Sequence, residues 1–170
     1  AISGMEWAVD NGADVVSMSL GGSVTDTSWV NAVENANQMG TTVVAAVGNK
    51  GDGTSATPGN VYSTIGVGSV DSSVDVSTFS GGEVIDTDSA WGTSAPSDWP
   101  SEYTVPDVVA AGEGVNSTSS DGGYSLKWGT SMATPHVAGA AALALSAAGD
   151  KSPEQVTEAF ALTAFGSGSE

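Results

Sequence analysis

GTSMATPHVAG, residues Gly129 to Gly139, is the most informative stretch of the sequence. It places Ser131 directly after a glycine and a threonine, at the start of an alanine-rich run that predicts a helix over 130–148. A serine at the start of a helix can cap a free backbone N–H group. It can also be a nucleophile, because the N–H groups of the first turn stabilise an anion formed beside it. The residues alone leave both interpretations open.

The only histidine of the chain, His136, lies five residues after Ser131. On a continuous helix five residues turn by about 500° and rise by about 7.5 Å, so the two side chains point roughly 140° apart. A general base must lie within about 3 Å of the hydroxyl that it deprotonates. We therefore expect His136 to pack in its own helix or bond to a neighbour there, and we expect no base for Ser131 in this chain.

Continuous apolar runs alternate with amphipathic segments along most of the chain. This alternation is typical of a parallel sheet that helices cover on both faces. The sequence therefore predicts an α/β fold with three layers, a mostly parallel sheet flanked by helices. The predicted helices are 2–11 (with Ile2, Met5, Trp7, Ala8 and Val9 facing inward), about 27–40, 130–148 and a last one capped by Ser152, Pro153 and Gln155; the predicted strands are 14–20, 41–48, 63–70 and 108–110.

The composition is strongly acidic and contains no cysteine. Asp and Glu total 20 against three basic residues, which gives a formal net charge of −17. This charge repels polyanions, so neither nucleic acid nor an anionic membrane is an expected partner. No apolar run approaches the roughly 18 residues of a membrane span. Acids scattered along the chain favour a salt-adapted surface over that of an ordinary acidic secreted protein.

Several segments together resemble the subtilisin-like serine proteases (subtilases, peptidase S8 type). GTSMATPHVAG resembles the nucleophile motif of that family, and Ser131 is its serine. GMEWAVDNGADVVSMSLGG resembles the helix and strand before the substrate-binding S-L-G-G, and TTVVAAVGNKG the strand before the oxyanion-hole asparagine. ATPGNVYSTIGVGSVD and VPDVVAAGEGV resemble the segments that follow. The resemblance covers nearly the whole chain except about 82–103, which is predicted to be a surface insertion.

The resemblance implies a role for each matching residue. Ser131 would attack the scissile carbonyl to form an acyl-enzyme, and the side-chain amide of Asn49 would hold the oxyanion together with the Ser131 N–H. The backbone of Ser19, Leu20 and Gly21 would pair with an extended peptide substrate, and Gly22 would turn the chain away. Ala46, Val47 and Gly48 would form one wall of the pocket that holds the substrate side chain before the cleaved bond. The apolar wall favours medium or large apolar side chains.

The sequence departs from the family in lacking the aspartate and histidine of the triad. The D-[ST]-G and H-G-x-H segments that carry them in the family are absent, and would lie upstream of Ala1. We interpret residues 1–170 as a single partial catalytic domain, the C-terminal part of a serine endopeptidase from a halophilic prokaryote, with the fold truncated at its N-terminal side. The chain alone is predicted to be inactive. The alternative is a non-catalytic module that binds peptides at the same edge.

The resemblance also bears on cofactors, location and partners. The chemistry needs no cofactor, and the family implies secretion to the extracellular space and a structural calcium ion in the parent protein. A weaker calcium site would use backbone carbonyls, here those of Gly59, Val61 and Thr64; these carry no side-chain signature, so we predict no metal residues. The truncation would leave the strand at 14–20 as an open edge, through which we expect self-association. The three aromatic residues of the insertion, Trp91, Trp99 and Tyr103, are expected to pin it to the body of the domain.

Overall fold

The computed structural model describes residues 1–22, 25–149 and 151–164. The helices are α1 (Ile2–Asp10), α2 (Ser28–Gln38), α3 (Thr87–Trp91), α4 (Thr130–Ala148) and α5 (Pro153–Thr163), with a 3₁₀ turn at Gly92–Ser94. The strands are β1 (Val15–Met18), β2 (Thr42–Ala46), β3 (Ile65–Val70), β4 (Glu83–Asp86), β5 (Glu102–Val105), β6 (Val108–Ala111), β7 (Val115–Thr118) and β8 (Tyr124–Lys127). In this part of the chain no helix is both long and apolar enough to cross a bilayer.

Four parallel strands form the central sheet, in the order β1-β2-β3-β6. Their registers place Val15 opposite Thr42, Val44 opposite Ile65, and Val67 opposite Val108. The predicted parallel sheet is therefore confirmed, although β1, β2 and β3 are shorter than predicted and β6 is one residue longer. Strand β1 forms one edge of this sheet and β6 the other.

Helices cover both faces of the sheet. The residues of β2 show this, because successive side chains of a strand point to opposite faces and here contact different helices. Val43 and Ala45 belong to a hydrophobic cluster that also contains the buried residues of α1 and α2. Val44, between them, belongs to a second cluster with α4 and α5. Helix α4 contacts all four strands of the sheet. The predicted three layers are thus present, with a separate core on each face.

The helix ends follow the sequence signals closely. Ser152 and Gln155 form the predicted capping box of α5.

The inward face of α1 differs from the prediction at one residue. Met5 is buried, and Ile2 and Val9 pack beside it, but Trp7 is 68% exposed. Two residues after Met5, a side chain on a helix points about 200° away, so Trp7 cannot share the inner face. Its predicted inward position is wrong.

The segment predicted as an insertion forms a small unit of its own. Strands β4 and β5 pair antiparallel, and α3 lies between them in the sequence. Trp91 is 2% exposed and joins the cluster of α1 and α2, and Trp99 and Tyr103 pack against the same cluster. The prediction that these aromatic residues pin the segment to the domain is confirmed.

A second antiparallel hairpin, which the sequence did not reveal, leads directly into α4. It consists of β7 and β8, with Val115 opposite Lys127 and Thr118 opposite Tyr124. Only two residues separate β8 from the first residue of α4. The hairpin therefore delivers the chain to the turn that begins this helix.

Candidate active site

Ser131 is the second residue of α4, and the turn before it depends on Gly129. The φ angle of Gly129 is +146°, a conformation that side chains rarely adopt, and a Cβ there would lie 3.4 Å from Asn49 Nδ2. The Gly129 N–H donates to Gly112 O at 2.9 Å, which ties the turn to the end of β6. The first N–H groups of a helix have no partner inside it. The N–H of Ser131 is one of these groups and has no backbone partner among the described residues.

Asn49 follows β2 through Gly48, and Thr130 fixes its side chain. The Thr130 N–H donates to Asn49 Oδ1 at 2.8 Å, and the Thr130 hydroxyl donates to the same oxygen at 3.0 Å. An amide nitrogen cannot accept these bonds, so the pair of donors fixes which end of the amide faces Thr130. The Nδ2 group points away from them and makes no hydrogen bond within the described residues.

Two hydrogen-bond donors border the same space beside Gly129. The position that a Cβ on Gly129 would take lies 3.4 Å from Asn49 Nδ2 and 3.7 Å from Ser131 N. Glycine leaves that position open. Fixed donors that converge on one point can stabilise a negative charge that develops on an oxygen there. The structure therefore brings Asn49 and Ser131 together around one small space.

The Ser131 hydroxyl has no base within reach among the described residues. It donates to Ser19 O at 3.2 Å, and Ser19 Oγ donates in return to Ser131 O at 2.7 Å. These two bonds join the start of α4 to the end of β1. His136 Nδ1 lies 2.8 Å from Met132 O, one turn earlier on the same helix. The prediction that His136 bonds within its own helix is confirmed.

The predicted peptide-binding edge lies directly after β1. Leu20 is 47% exposed, and neither Leu20 nor Gly21 makes a backbone hydrogen bond to a described residue. Gly22 and Thr57 then exchange two backbone hydrogen bonds, each of 2.9 Å. The exposed stretch beside Ser131 therefore consists of the three residues that follow β1, namely Ser19, Leu20 and Gly21. It ends at Gly22.

The residues predicted to form the pocket wall are largely buried. Ala46 and Val47 are 4% and 0% exposed, and the Val47 side chain belongs to the core on the α2 side of the sheet. The Val47 side chain therefore faces the core, so the predicted wall would be formed by its backbone and by Gly48; the wall itself stays a prediction. The methyl group of Ala56 fills the space between the two strand ends: a Cβ on Gly21 or on Gly48 would lie 3.1 Å from it.

Sequence reasoning missed two residues of this site. Thr130 stands in the nucleophile motif, but nothing in its spacing shows that its hydroxyl holds an amide 81 residues away. Ala56 sits in a loop where a small residue usually has no specific partner. The only feature of the sequence that could have indicated Ala56 is the pair of glycines at 21 and 48. Two facing segments without a Cβ leave room between them for a side chain from a third segment.

Two of the three carbonyl oxygens that the resemblance offers for a weak calcium site have close neighbours within the protein. Val61 O already accepts from Thr64 N at 2.9 Å. Gly59 O faces inward against Gly66 on β3. Calcium prefers six to eight oxygen ligands around one point, and a carbonyl that accepts one hydrogen bond keeps a second lone pair; the weak calcium site stays an implication of the resemblance. Among the described residues no cluster of acidic or histidine side chains could hold a metal ion.

A cavity of about 1120 Å³ lies elsewhere, against β6 and the insertion. Val74, Val84, Asp107 and Ala161 are among its lining residues, and Asn49 and Ser131 are not. It carries none of the donors that surround Gly129. We therefore place the candidate site at the shallower surface where β1, β2 and α4 meet.

Known proteins with similar sequences share this architecture. The sequence model of the Subtilase family matches residues 1–169. Subtilisin amylosacchariticus of Bacillus subtilis subsp. amylosacchariticus is 44% identical over 149 residues, which are 85% of this chain and 34% of the relative. Subtilisin DY of Bacillus licheniformis is 40% identical over 169 residues, 96% of this chain and 54% of the relative.

A solved structure of a cold adapted subtilisin-like serine proteinase superposes with a TM-score of 0.75 and 36% identity, over 95% of this chain and 52% of that one. The chain thus spans between about a third and about half the length of the curated relatives it matches. Its fold is the subtilisin-like α/β fold. Because the family match extends over nearly every residue, the chain belongs to the subtilase family.

Proposed function

We propose that this chain carries the nucleophile and the oxyanion donors of a serine endopeptidase. The observation that supports this most is the fixed amide of Asn49, whose free Nδ2 borders the same space as the Ser131 N–H. In this proposal Ser131 Oγ gives its proton to a base and attacks the carbonyl carbon of a peptide bond; the C–N bond then breaks, the amine leaves with that proton, and an acyl-enzyme remains. The carbonyl oxygen becomes an oxyanion, and the two donors stabilise it.

The substrate would be a polypeptide in an extended conformation. The unpaired backbone of Leu20 and Gly21 can hydrogen-bond to such a peptide and add it to the sheet as a strand. Ser19 lies at the same edge and is tied to Ser131, so a peptide bound there has a carbonyl near the nucleophile. The side chain before the cut would enter between this edge and Gly48, with Ala56 at the inner end.

The 170-residue chain alone is proposed to lack peptidase activity. A serine hydroxyl is too weakly acidic to attack an amide at a useful rate without a base. The single histidine, His136, is engaged with Met132 O on its own helix. A histidine from outside this chain would have to accept the Ser131 proton.

The alternative is a peptide-binding module of subtilase descent that does not cut. The hydrogen bond from the Ser131 hydroxyl to Ser19 O supports it, because this hydroxyl is engaged rather than activated. The two functions differ in a longer polypeptide that supplies a histidine base. A peptidase then cleaves peptides and Ser131→Ala abolishes the cleavage, whereas a binding module binds peptides and cleaves none, with or without this substitution.

Location, ions and assembly are proposed from the family and the charge. The family resemblance implies secretion, and we propose an extracellular location here. The net charge of −17 supports the surface of a salt-adapted protein. A structural calcium ion is proposed from the family resemblance alone. The open edge of β1 supports self-association.

Labelling with a fluorophosphonate probe tests the proposed chemistry. The 170-residue chain should remain unlabelled, and a longer polypeptide that also supplies a histidine base should be labelled at Ser131. Ser131→Ala should abolish labelling. Asn49→Leu should slow it by about 10- to 150-fold, since a hydrogen bond to a developing charge contributes about 1.5–3 kcal/mol.

The matched control is Asn31→Leu, an exposed asparagine on α2. Equal rates in the two leucine variants would show that Asn49 is not an oxyanion donor. Fast, stoichiometric labelling of Ser131 in the 170-residue chain would show that no external base is needed.

A further inference from the structure

The insertion reaches the body of the domain through the hydroxyl group of Tyr103. This hydroxyl donates to Asn60 O at 2.7 Å and accepts a bond from Trp91 Nε1, also at 2.7 Å. Trp91 is 2% exposed, so the group that orients the hydroxyl is itself held in the core. Burial raises the pKa of Tyr103 to about 12, and the hydroxyl therefore remains a donor across the physiological range.

Asn60 transmits this contact to the turn before it. Its side chain is nearly inaccessible, with 5% of the residue exposed. The Asn60 N–H donates to Ala56 O at 3.1 Å, and Asn60 Nδ2 donates to Ser55 Oγ at 2.8 Å. A shift of Asn60 would therefore move Ser55 and Ala56 with it.

The segment held in this way closes the proposed pocket. The Ala56 methyl lies against both Gly21 and Gly48, because a Cβ added at either glycine would approach it to 3.1 Å. The next residue, Thr57, is paired with Gly22. One bonded path thus runs from the insertion to the place where the two predicted substrate-binding segments meet.

Aromatic packing holds the other side of the same segment. The ring of Tyr62 lies 5.1 Å from that of Tyr103 and 5.5 Å from that of Trp99. Trp99 Nε1 donates to Glu34 Oε1 at 3.3 Å, and the same carboxylate oxygen accepts from the Ser63 hydroxyl. The insertion therefore contacts the 60–63 segment by hydrogen bonds and by ring contacts.

We propose that Tyr103 is a positioning residue for the substrate pocket. Through Asn60 it sets the position of Ala56, and so the depth of the space between Gly21 and Gly48. The insertion then governs which side chain the pocket accepts, although it touches no substrate. This inference rests on the proposed function, because it needs a peptide in that pocket.

Amide hydrogen exchange of the 170-residue chain tests the first step without any peptide. Tyr103→Phe removes only the hydroxyl, and the matched control Tyr62→Phe removes a hydroxyl from the same ring cluster. Loss of the bond to Asn60 O should speed exchange of the Asn60 and Thr57 amides about fivefold in Tyr103→Phe and leave it unchanged in Tyr62→Phe. Equal exchange in the two variants would overturn the proposal.

Peptide affinity tests the second step. Two acetylated tetrapeptides that differ only in a C-terminal alanine or phenylalanine are titrated into each variant at high salt. In Tyr103→Phe the Kd of the phenylalanine peptide should fall about fivefold relative to that of the alanine peptide, compared with the same ratio in wild type, because Ala56 can move back and deepen the pocket. In Tyr62→Phe the ratio of the two Kd values should equal that of wild type. Faster exchange with an unchanged ratio would reduce Tyr103 to a packing role and overturn the proposal.

The two measurements separate this inference from the proposed function. If neither peptide binds the wild-type chain, the peptide-binding site fails, and the pocket role of Tyr103 fails with it. The exchange rates still decide whether Tyr103 holds Ala56. If peptides bind and exchange is equal in both variants, the proposed function stands and the role of Tyr103 does not.

Discussion

Asn49 depends on one neighbour for the orientation of its side chain. Both donors of Thr130, the N–H and the hydroxyl, converge on Asn49 Oδ1. Oδ1 is thus engaged before any ligand arrives, and Nδ2 lies beside the space next to Gly129 that Ser131 N also borders. Donors fixed in advance need no reorganisation when charge develops. The contribution of Thr130 to the site is therefore orientation, although it touches no substrate.

Thr130→Val tests this orientation. It removes the 3.0 Å bond from the hydroxyl and keeps the 2.8 Å bond from the N–H. We expect the free energy of unfolding to fall by about 1 kcal/mol, because Asn49 Oδ1 loses one of its two partners and the buried Thr130 hydroxyl is removed. We also expect the Asn49 side-chain NH₂ resonances to shift and broaden in NMR spectra.

Thr134→Val is the control, since it removes an equally buried hydroxyl that bonds only to Thr130 O in the same helix. It should lower stability by a similar amount and leave the Asn49 resonances in place. Unchanged Asn49 resonances in Thr130→Val would contradict the proposed clamp.

Asp107 should make stability depend on pH. Desolvation raises the pKa of its carboxyl to about 6, although Oδ2 accepts a 2.7 Å bond from Gly66 N. The folded state therefore binds this proton more tightly than the unfolded state. The contribution of Asp107 to stability is greatest below about pH 4 and falls as the pH rises to about 6.

Asp107→Asn removes this term and keeps an acceptor for Gly66. Its stability relative to wild type should rise between pH 4 and pH 7, by about 1 kcal/mol: the carboxyl group is desolvated, but the residue as a whole keeps contact with solvent, which weakens the effect. Urea unfolding of both proteins at several pH values measures the difference. A difference that is constant with pH would show that the carboxyl titrates normally.

At the scale of whole elements, the sequence predicts what local chemistry decides. Apolar runs predicted the four strands of the sheet, and the alanine-rich run predicted α4 with its observed ends. The hairpin of β7 and β8 escaped prediction because its residues, such as Tyr124 and Leu126, are exposed and follow no apolar pattern. Contacts between distant segments, such as Tyr103 with Asn60, are fixed by packing and leave no trace in spacing.

The same holds for the candidate site. The motif predicted that Ser131 and Asn49 belong together, and the structure brings them together. The residues around them could not be predicted. Thr130 contacts Asn49 only because the fold brings these distant parts of the chain together. Val47 faces the core because alternate residues along an extended chain point to opposite faces of the sheet. A local pattern gives the type of residue, and the path of the chain decides what it touches.

Helix α5 should depend on its capping box. Ser152 Oγ accepts from Gln155 N at 3.3 Å, and Gln155 Oε1 accepts from Ser152 N at 3.1 Å. Ser152→Ala should lower the free energy of unfolding by about 1 kcal/mol, whereas Ser152→Gly should lower it by only a few tenths. Urea unfolding gives both values. Equal losses in the two variants would contradict a capping role.

At the scale of the whole molecule, negative charge opposes the association that the open edge of β1 favours. Salt shortens the range of this repulsion from about 10 Å at 0.1 M to about 3 Å at 1 M. We therefore expect a monomer at low salt and a dimer in multimolar salt, measured by analytical ultracentrifugation. A charge on an edge strand blocks such pairing.

Ser17→Lys places a charge on β1, and Ser125→Lys places the same charge on the exposed face of β8. Only the first should prevent the dimer. A wild-type monomer at both salt concentrations would exclude pairing through β1, and so would equal association of the two variants.

The central claim is that Asn49 Nδ2 and the Ser131 N–H act on one oxygen. An NMR titration with a peptide that ends in a free carboxylate tests it directly, because a product-like carboxylate oxygen can occupy the space between the donors. At high salt the two N–H resonances should shift together along one binding curve. Shifts confined to other residues, or two different curves, would contradict the claim.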